Sequence, residues 1–406
     1  MRVLFISNGY GEDYVAVNII KELRKIDSSI EIEALPIVGE GFLYTKNQIP
    51  LLGPHKKLPS GGFITNLRIL YKDLKEGLLN LHWKQWEEIK RWSKKDGYIV
   101  AVGDIVPLLL AKLSSKKFFF VSIQKSVYYT LEDDKKINIQ KLSKNKAKEI
   151  AIRTYLLEYF LMRSENLLKV FPRDFLSHLI LEKARINSEY LGNPMMDSLE
   201  PENKIKIDNF YNYIKILVLP GSKIPEAYYN FHLLTDGILH LLKSRSDENF
   251  LFLTAISPNI PIKELEYILF SKNFIKDVET EDYILFKNNN HVLILTHAFS
   301  DCIHHAQIGL CMAGTATEQF VGLGKPAIAI FGKGPQFTKK FALLQKRLLG
   351  DSLFIAKNPE EIPKIFSLIY NNNELLEKIS LNGRKRMGEK GASKRIAEKI
   401  YQITKV

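Results

Sequence analysis

A doubly wound α/β chain in two domains is the fold class this sequence predicts, on three observations. Short β-branched and aromatic runs recur between longer amphipathic stretches. Those runs are mostly continuously apolar rather than alternating, the mark of parallel strands covered on both faces. The chain's 406 residues, 46% of them hydrophobic, also exceed what one compact core organises.

In order, the first half offers VLFIS (3–7), IEIEALPI (30–37), YIVAVG (98–103) and KFFFVSI (117–123) as strands. The second half offers KILVLPGS (215–222), FLFLTA (250–255), HVLILT (291–296), IGLCMAG (308–314) and PAIAIFG (326–332). Between them, residues 197–214 break the rhythm with Pro, Asn and charge, so an interdomain linker is expected there. The division is therefore an N-terminal domain over 1–196, the linker, a C-terminal domain over 215–372, and a basic helical tail over 373–406. Within that tail, residues 384–395 carry six basic residues against one acidic.

Lys and Arg number 58 against 45 Asp and Glu, a formal net charge of +13, which suits anionic partners such as phosphorylated ligands, acidic lipid or nucleic acid. No DNA- or RNA-binding motif accompanies the charge, which counts against nucleic acid. The only cysteines, Cys302 and Cys311, form no disulfide framework and fit a reducing cytosol. Neither a signal-peptide pattern nor an apolar run of the roughly 18 to 20 residues a membrane span needs is present, so a soluble or peripheral protein is expected.

Four places could carry chemistry. MAGTATEQ (312–319) follows a strand and opens a helix near Thr315, an arrangement that points backbone N–H groups at an anion. The same Thr315-x-x-Glu318 also spells a capping box that would satisfy the helix's own amides. LPGSK (219–223) brings Gly221, Ser222 and Lys223 to a second strand-to-helix turn, with Glu226 next; this suits phosphate, although an ordinary turn looks similar. Both turns would lie at the carboxyl ends of strands in one sheet, where open α/β sheets bind ligands.

In the first half, Gly9 and Gly11 half-match a dinucleotide fingerprint, but Tyr14 replaces its third glycine and Glu12 and Asp13 would repel a pyrophosphate. The acidic pair serves either an acceptor hydroxyl or the helix dipole. Asp104, closing a strongly apolar strand, is a candidate general base or an N-cap.

HAFSDCIHH (297–305) with Cys311 fits no standard zinc spacing. His297, after the strand VLILT, fits either the lining of a cleft or a cap. Phe63, Leu67, Leu70, Leu74, Leu78 and Leu81 recur at helical spacing with Arg68, Lys72 and Lys75 elsewhere on the wheel, which fits core packing or a helix lying on an anionic membrane.

Taken together, GYGED (9–13), GNPMMDSL (192–199), LPGSK and MAGTATEQ resemble, in order, the motifs of lipid A disaccharide synthase, and FGKGPQFTKKFALLQKRLLG (331–350) resembles its synthase-like branch. The resemblance implies a GT-B glycosyltransferase, two Rossmann-like domains facing a cleft, with a UDP-sugar donor on the C-terminal domain and a lipid or hydrophobic acceptor at the N-terminal one. By that resemblance Gly221, Ser222 and Lys223 contact the diphosphate, Gly314, Thr315, Thr317 and Glu318 hold the nucleotide, and Asn193 joins the nucleotide-sugar site. Asp104 corresponds to the essential aspartate. Asn193 stands where the family usually has histidine, and Lys223 where it more often has arginine, replacing a bidentate fork by a point charge. The reaction implied inverts the anomeric carbon without an obligatory metal, on the cytoplasmic face of a membrane. Its rivals are a UDP-sugar epimerase of the same fold, a non-catalytic basic membrane-binding protein and a nicotinamide oxidoreductase.

Overall fold

The computed structural model describes residues 1–56, 71–72, 74–131, 138, 140–332, 334 and 337–405. It divides the chain into two compact units, one of residues 1–198 and 388–406, the other of residues 199–387.

The first unit is built on five parallel strands, β1 (Arg2–Ser7), β2 (Glu31–Pro36), β3 (Tyr98–Gly103), β4 (Phe118–Ser122) and β5 (Leu167–Pro172), in the order β2-β1-β3-β4-β5. Ser7 pairs with Val102 and Val102 with Val121, so the carboxyl ends of the central strands are level. The chain reverses direction of travel across the sheet between β1 and β3, the topological switch point of a doubly wound sheet. Helix α1 (Tyr10–Ile26) follows β1 and α2 (Phe42–Lys46) follows β2. Then come α3 (Leu78–Trp92), α4 (Ile105–Leu113), α5 (Val127–Thr130), α6 (Lys144–Tyr155), α7 (Leu157–Leu161) and α8 (Phe175–Lys183). Asp104, Ser143 and Asp174 cap α4, α6 and α8 with their side chains. One core cluster joins Phe5, Val100, Phe119 and Phe171 of the sheet to Val15, Ile19 and Leu23 of α1.

The second unit holds β6 (Ile214–Leu219), β7 (Phe250–Ala255), β8 (Ile275–Glu279), β9 (Tyr283–Asn288), β10 (His291–Thr296), β11 (Ile308–Cys311), β12 (Ala327–Ile330) and β13 (Leu353–Ala356). Their order is β13-β12-β11-β6-β7-β10-β9-β8, all running one way except β9, which is antiparallel to both β10 and β8. Its helices are α9 (Glu226–Ser244), α10 (Ile262–Phe270), α11 (Phe299–His305), α12 (Thr315–Gly322), α13 (Lys339–Leu349), α14 (Ile362–Ile369) and α15 (Asn373–Met387). Strand β6 lies between β11 and β7, so the β6/β11 boundary is the switch point here.

All nine expected strands are present, and β5, β8, β9 and β13 add to them. Lys169 interrupts β5, β13 is only four residues long, and β8 is an exposed edge strand whose Lys276, Asp277 and Glu279 blunt it against further pairing.

The C-terminal end departs from expectation. Residues 373–406 do not form a separate basic tail: α15 belongs to the second unit, packed on α12 and α13, while α16 (Ala392–Thr404) belongs to the first, packed along α1. Both helices bury an apolar face, through Ile379 and Met387 in one and Ile396, Ala397 and Ile400 in the other. Part of the basic run is consumed internally. Buried Arg386 donates to the carbonyls of Arg347 and Leu348 at 2.8 and 2.9 Å, and Arg395 to that of Leu191 at 2.8 Å.

The expected linker begins at the crossing itself and is held by carboxylates. Asp197 accepts the first amides of α16, from Gly391, Ala392 and Ser393, at 2.5, 3.3 and 2.7 Å. Asp301 accepts the amides of Glu202, Asn203, Lys204 and Ile205 at 2.6 to 3.1 Å. Burial works against its ionisation, yet those four bonds hold its carboxyl below the usual range.

Candidate functional site

In the first unit, carboxylates gather where β1, β3 and β4 end. Gly103 has φ +126°, and a Cβ there would meet Glu12 Cγ at 3.0 Å and Asn8 Cβ at 3.3 Å, so glycine lets the turn after β3 close onto the start of α1. This brings Glu12 and Asp104 within electrostatic range of each other. Asp104 accepts Val106 N–H and Asn8 Nδ2, both at 3.0 Å. It is thus an N-cap, as one of the two sequence readings has it, and also a carboxylate at the switch point. Glu12 accepts Gln124 Nε2 at 2.6 Å.

Burial raises the pKa of Asp104 against its bond from Val106 and the nearby Lys125 charge. Burial likewise raises Glu12 against its bond from Gln124, and the Asp104 charge adds to the rise. A third carboxylate, Glu158 of α7, is buried and paired with Lys125 Nζ at 3.2 Å. Burial pushes it up to about 7 against the pull of Lys125.

Asp13 turns the other way. It accepts Ser7 Oγ at 2.5 Å, and Ser7 Oγ lies 2.5 Å from Tyr44 Oη, all three side chains being buried. Burial, partly offset by the Ser7 bond, lifts Asp13 to about 7. A catalytic placement of Asp13 is therefore corrected: its carboxyl is an internal member of a polar chain joining α1, the end of β1 and α2. Asn193 is also fully buried; its Oδ1 accepts Met195 N–H at 3.2 Å, and it sits in the first unit, not with the turns of the second. It caps a short turn and offers no surface to a ligand.

In the second unit, the two expected turns stand side by side. Cys311 pairs with Leu219, so β6 and β11 end level. Gly221 has φ +100°, and a Cβ on it would lie 3.1 Å from Met312 O, which is how close the turns approach. Ser222, Lys223 and Thr315 are exposed and Glu318 is buried. The capping-box alternative does not fit, because Gly314, not Thr315, is the N-cap of α12 and it supplies no side-chain bond. Thr317 is also corrected. It is buried, and its Oγ1 donates back to Ala313 O at 2.7 Å, the i−4 bond open to a helical threonine.

Two side chains that sequence reasoning missed, Asn230 and Gln345, support these turns, and a third that it left aside, Glu226, reaches Phe337. On α9, Asn230 Nδ2 donates to Pro220 O at 2.9 Å and Met312 O at 3.4 Å. One helical turn earlier, Glu226 accepts Phe337 N–H at 2.5 Å. On α13, Gln345 Nε2 donates to Ala313 O at 3.0 Å and Gly314 O at 3.2 Å. Their legible signal was a polar residue at helical spacing on an apolar face.

His297 is exposed after β10, with Nδ1 2.9 Å from Ile256 O. Both cysteines are buried thiols pushed up by that burial, and among the described residues no three His, Cys, Asp or Glu are grouped as metal ligands. Of the amphipathic stretch, Phe63, Leu67, Arg68 and Leu70 lie outside the described residues. Leu78 and Leu81 are core, whereas Leu74 on that stripe, and Leu79 and Trp83 off it, are exposed. No helix among the described residues is long and apolar enough to cross a membrane.

No protein-family model matches this chain, and no curated protein matches its sequence. Solved structures do. S. aureus MnaA in its co-structure with UDP superposes with a TM-score of 0.62 at 13% identity, over 100% of this chain and 97% of that one. Acinetobacter baumannii MurG gives 0.60 at 13% identity over 99% of each chain. The UDP-GlcNAc 2-epimerase of Neisseria meningitidis bound to UDP-GlcNAc gives 0.57 at 17% identity, over 99% of this chain and 100% of that one. At these identities the likeness is one of fold. The chain has the GT-B fold, two doubly wound α/β domains.

Proposed function

We propose that this protein is a UDP-sugar-dependent glycosyltransferase that transfers a sugar, with inversion, to a lipid or hydrophobic acceptor, as in the lipid A disaccharide synthase-like branch its motifs resemble. The observation that carries the reading is the pair of level, touching turns after β6 and β11, whose glycines let a diphosphate approach backbone N–H groups. Gly221, Ser222 and Lys223 then hold the diphosphate, and Gly314, Thr315 and Glu318 the nucleoside. Asp104 is the general base, with Glu12 beside it. The acceptor oxygen forms its bond to the anomeric carbon as the bond to the diphosphate breaks. The hydroxyl proton goes to the Asp104 carboxylate and the electron pair leaves with UDP. Lys223 and the start of α12 stabilise the departing charge.

The lipid side of the proposal draws on an exposed apolar set in the first unit: Leu109 and Leu113 on α4, and Leu156, Leu157 and Phe160 at the adjoining α7, flanked by exposed Lys112, Arg153 and Arg163. Such a surface suits peripheral binding to an anionic leaflet on the cytoplasmic face. A second reading, a UDP-sugar epimerase, is favoured by the UDP-GlcNAc 2-epimerases among the similar folds and by two adjacent carboxyls raised toward acid–base use.

The purified protein is incubated with labelled UDP-sugars, with and without native lipid extract. Sugar-bearing lipid supports transfer. An epimerised donor formed without lipid supports the second reading. UDP binding with neither product removes transfer.

A further inference from the structure

We infer that Asn230 and Gln345 are positioning residues that aim the peptides of the β6 and β11 turns at a nucleoside diphosphate; the ligand rests on the donor reading above, the mechanics on geometry alone. Both side chains are buried on otherwise apolar helix faces, Asn230 among Ala227, Phe231 and Leu234 of α9, Gln345 among Ala342, Leu348 and Leu349 of α13. Each turns its NH2 end to two backbone carbonyls of the turns. Only the NH2 end can do so, because the carbonyl end has no proton to give, so the orientation of both amides is set by chemistry. Asn230 Oδ1 and Gln345 Oε1 have no partner among the described residues. A methionine or leucine would leave no such orphan acceptor but would strip the turn carbonyls of their donors, so what the two buried amides supply is their hold on those carbonyls.

Peptide planarity accounts for them. In a trans peptide the carbonyl of one residue and the N–H of the next point in opposite directions. Fixing the carbonyls of Pro220, Met312, Ala313 and Gly314 toward α9 and α13 therefore turns the N–H groups of Gly221, Ala313, Gly314 and Thr315 away from those helices. Because Asn230 holds Pro220 and Met312 together, the two turns move as one piece. A donor array fixed before binding avoids the ordering cost that a flexible turn would incur.

Asn230→Leu and Gln345→Met test this with two readouts. In the ligand-free protein, hydrogen exchange of peptides covering 219–223 and 312–317 should quicken in both variants while exchange in the first unit stays unchanged. By titration calorimetry, the Kd for UDP should rise about 10-fold or more, whereas uridine, which lacks the diphosphate, should shift by less than about 3-fold. If the apolar variants do not fold, the isosteric Asn230→Asp and Gln345→Glu are read in the same way. Unchanged exchange at both turns overturns the inference whether or not UDP binds, as does an equal loss for UDP and uridine. Failure of the wild-type protein to bind UDP overturns the donor reading and the ligand assigned here, and quickened exchange would then support the mechanics alone.

Discussion

The carboxyl edges of the two sheets follow the same topological rule and are built for opposite charges. In the first unit, the edge after β1, β3 and β4 carries Glu12, Asp104 and, behind them, Glu158, carboxyls whose burial keeps them basic. In the second, the edge after β6 and β11 carries glycines, exposed Ser222, Lys223 and Thr315, and peptides fixed by buried amides. A doubly wound sheet supplies the place in both cases, and the side chains set just beyond the strand ends decide which charge gathers there.

The comparison breaks most sharply at Asp104. Asp104→Asn should lower turnover by about 10² to 10⁴ while UDP affinity, which we assign to the other unit, stays unchanged; an equal loss of UDP binding would contradict the division of roles. Because the Asp104 carboxyl is raised, the acid limb of the wild-type rate profile should lie above the ordinary aspartate range and vanish in the variant.

Gly221→Val attacks the opposite edge. Its φ of +100° and the close Met312 carbonyl leave no room for a branched side chain. The Kd for UDP should rise by about 10-fold or more, with strain of about 1–3 kcal/mol. An unchanged Kd would remove the β6 turn from the site.

Asp13 sharpens the contrast through stability. Burial holds its carboxyl at about 7 in the fold against an ordinary aspartate value of 3.8, so the native state binds the extra proton. The corresponding stability is complete below the unfolded value and is lost as pH rises from about 4 to about 7, at most on the order of 4 kcal/mol. Denaturant melts across that window should show a smaller decline in Asp13→Asn. Glu158 contributes with the same sign. The smallest effect belongs to the exposed apolar set: Leu157→Asp with Phe160→Asp should reduce sedimentation with phosphatidylglycerol vesicles about threefold, leaving UDP binding intact.

Most strands were legible because continuous apolar runs admit little else, and the two glycine turns were legible because strand, glycine and helix start follow one another in the chain. The extra strands were not, since β5 carries Lys169 and β8 sets Lys276, Asp277 and Glu279 among only two apolar residues. Within the site, residue type misled where orientation decides: Asp13, Asn193 and Thr317 have suitable chemistry but turn inward to Ser7, Met195 and Ala313. Glu158, Asn230 and Gln345 escaped notice for the converse reason. Asn230 is 10 residues from Pro220 but 82 from Met312, Gln345 is 32 from Ala313, and Glu158 pairs with Lys125 from outside its own helix; a single sequence does not encode such partnerships as a pattern.

What the sequence alone determined is local: the apolar period that makes strands and helices, the glycines that permit tight turns, and the excess of positive charge. The tertiary structure decided which strand ends stand level, which carboxyls are dry enough to hold protons near neutrality, and that the last two helices divide between the units. The physical reason is that hydrogen bonding along a strand or helix is set within a few residues, whereas burial and the company a charge keeps depend on residues brought together from across the whole chain.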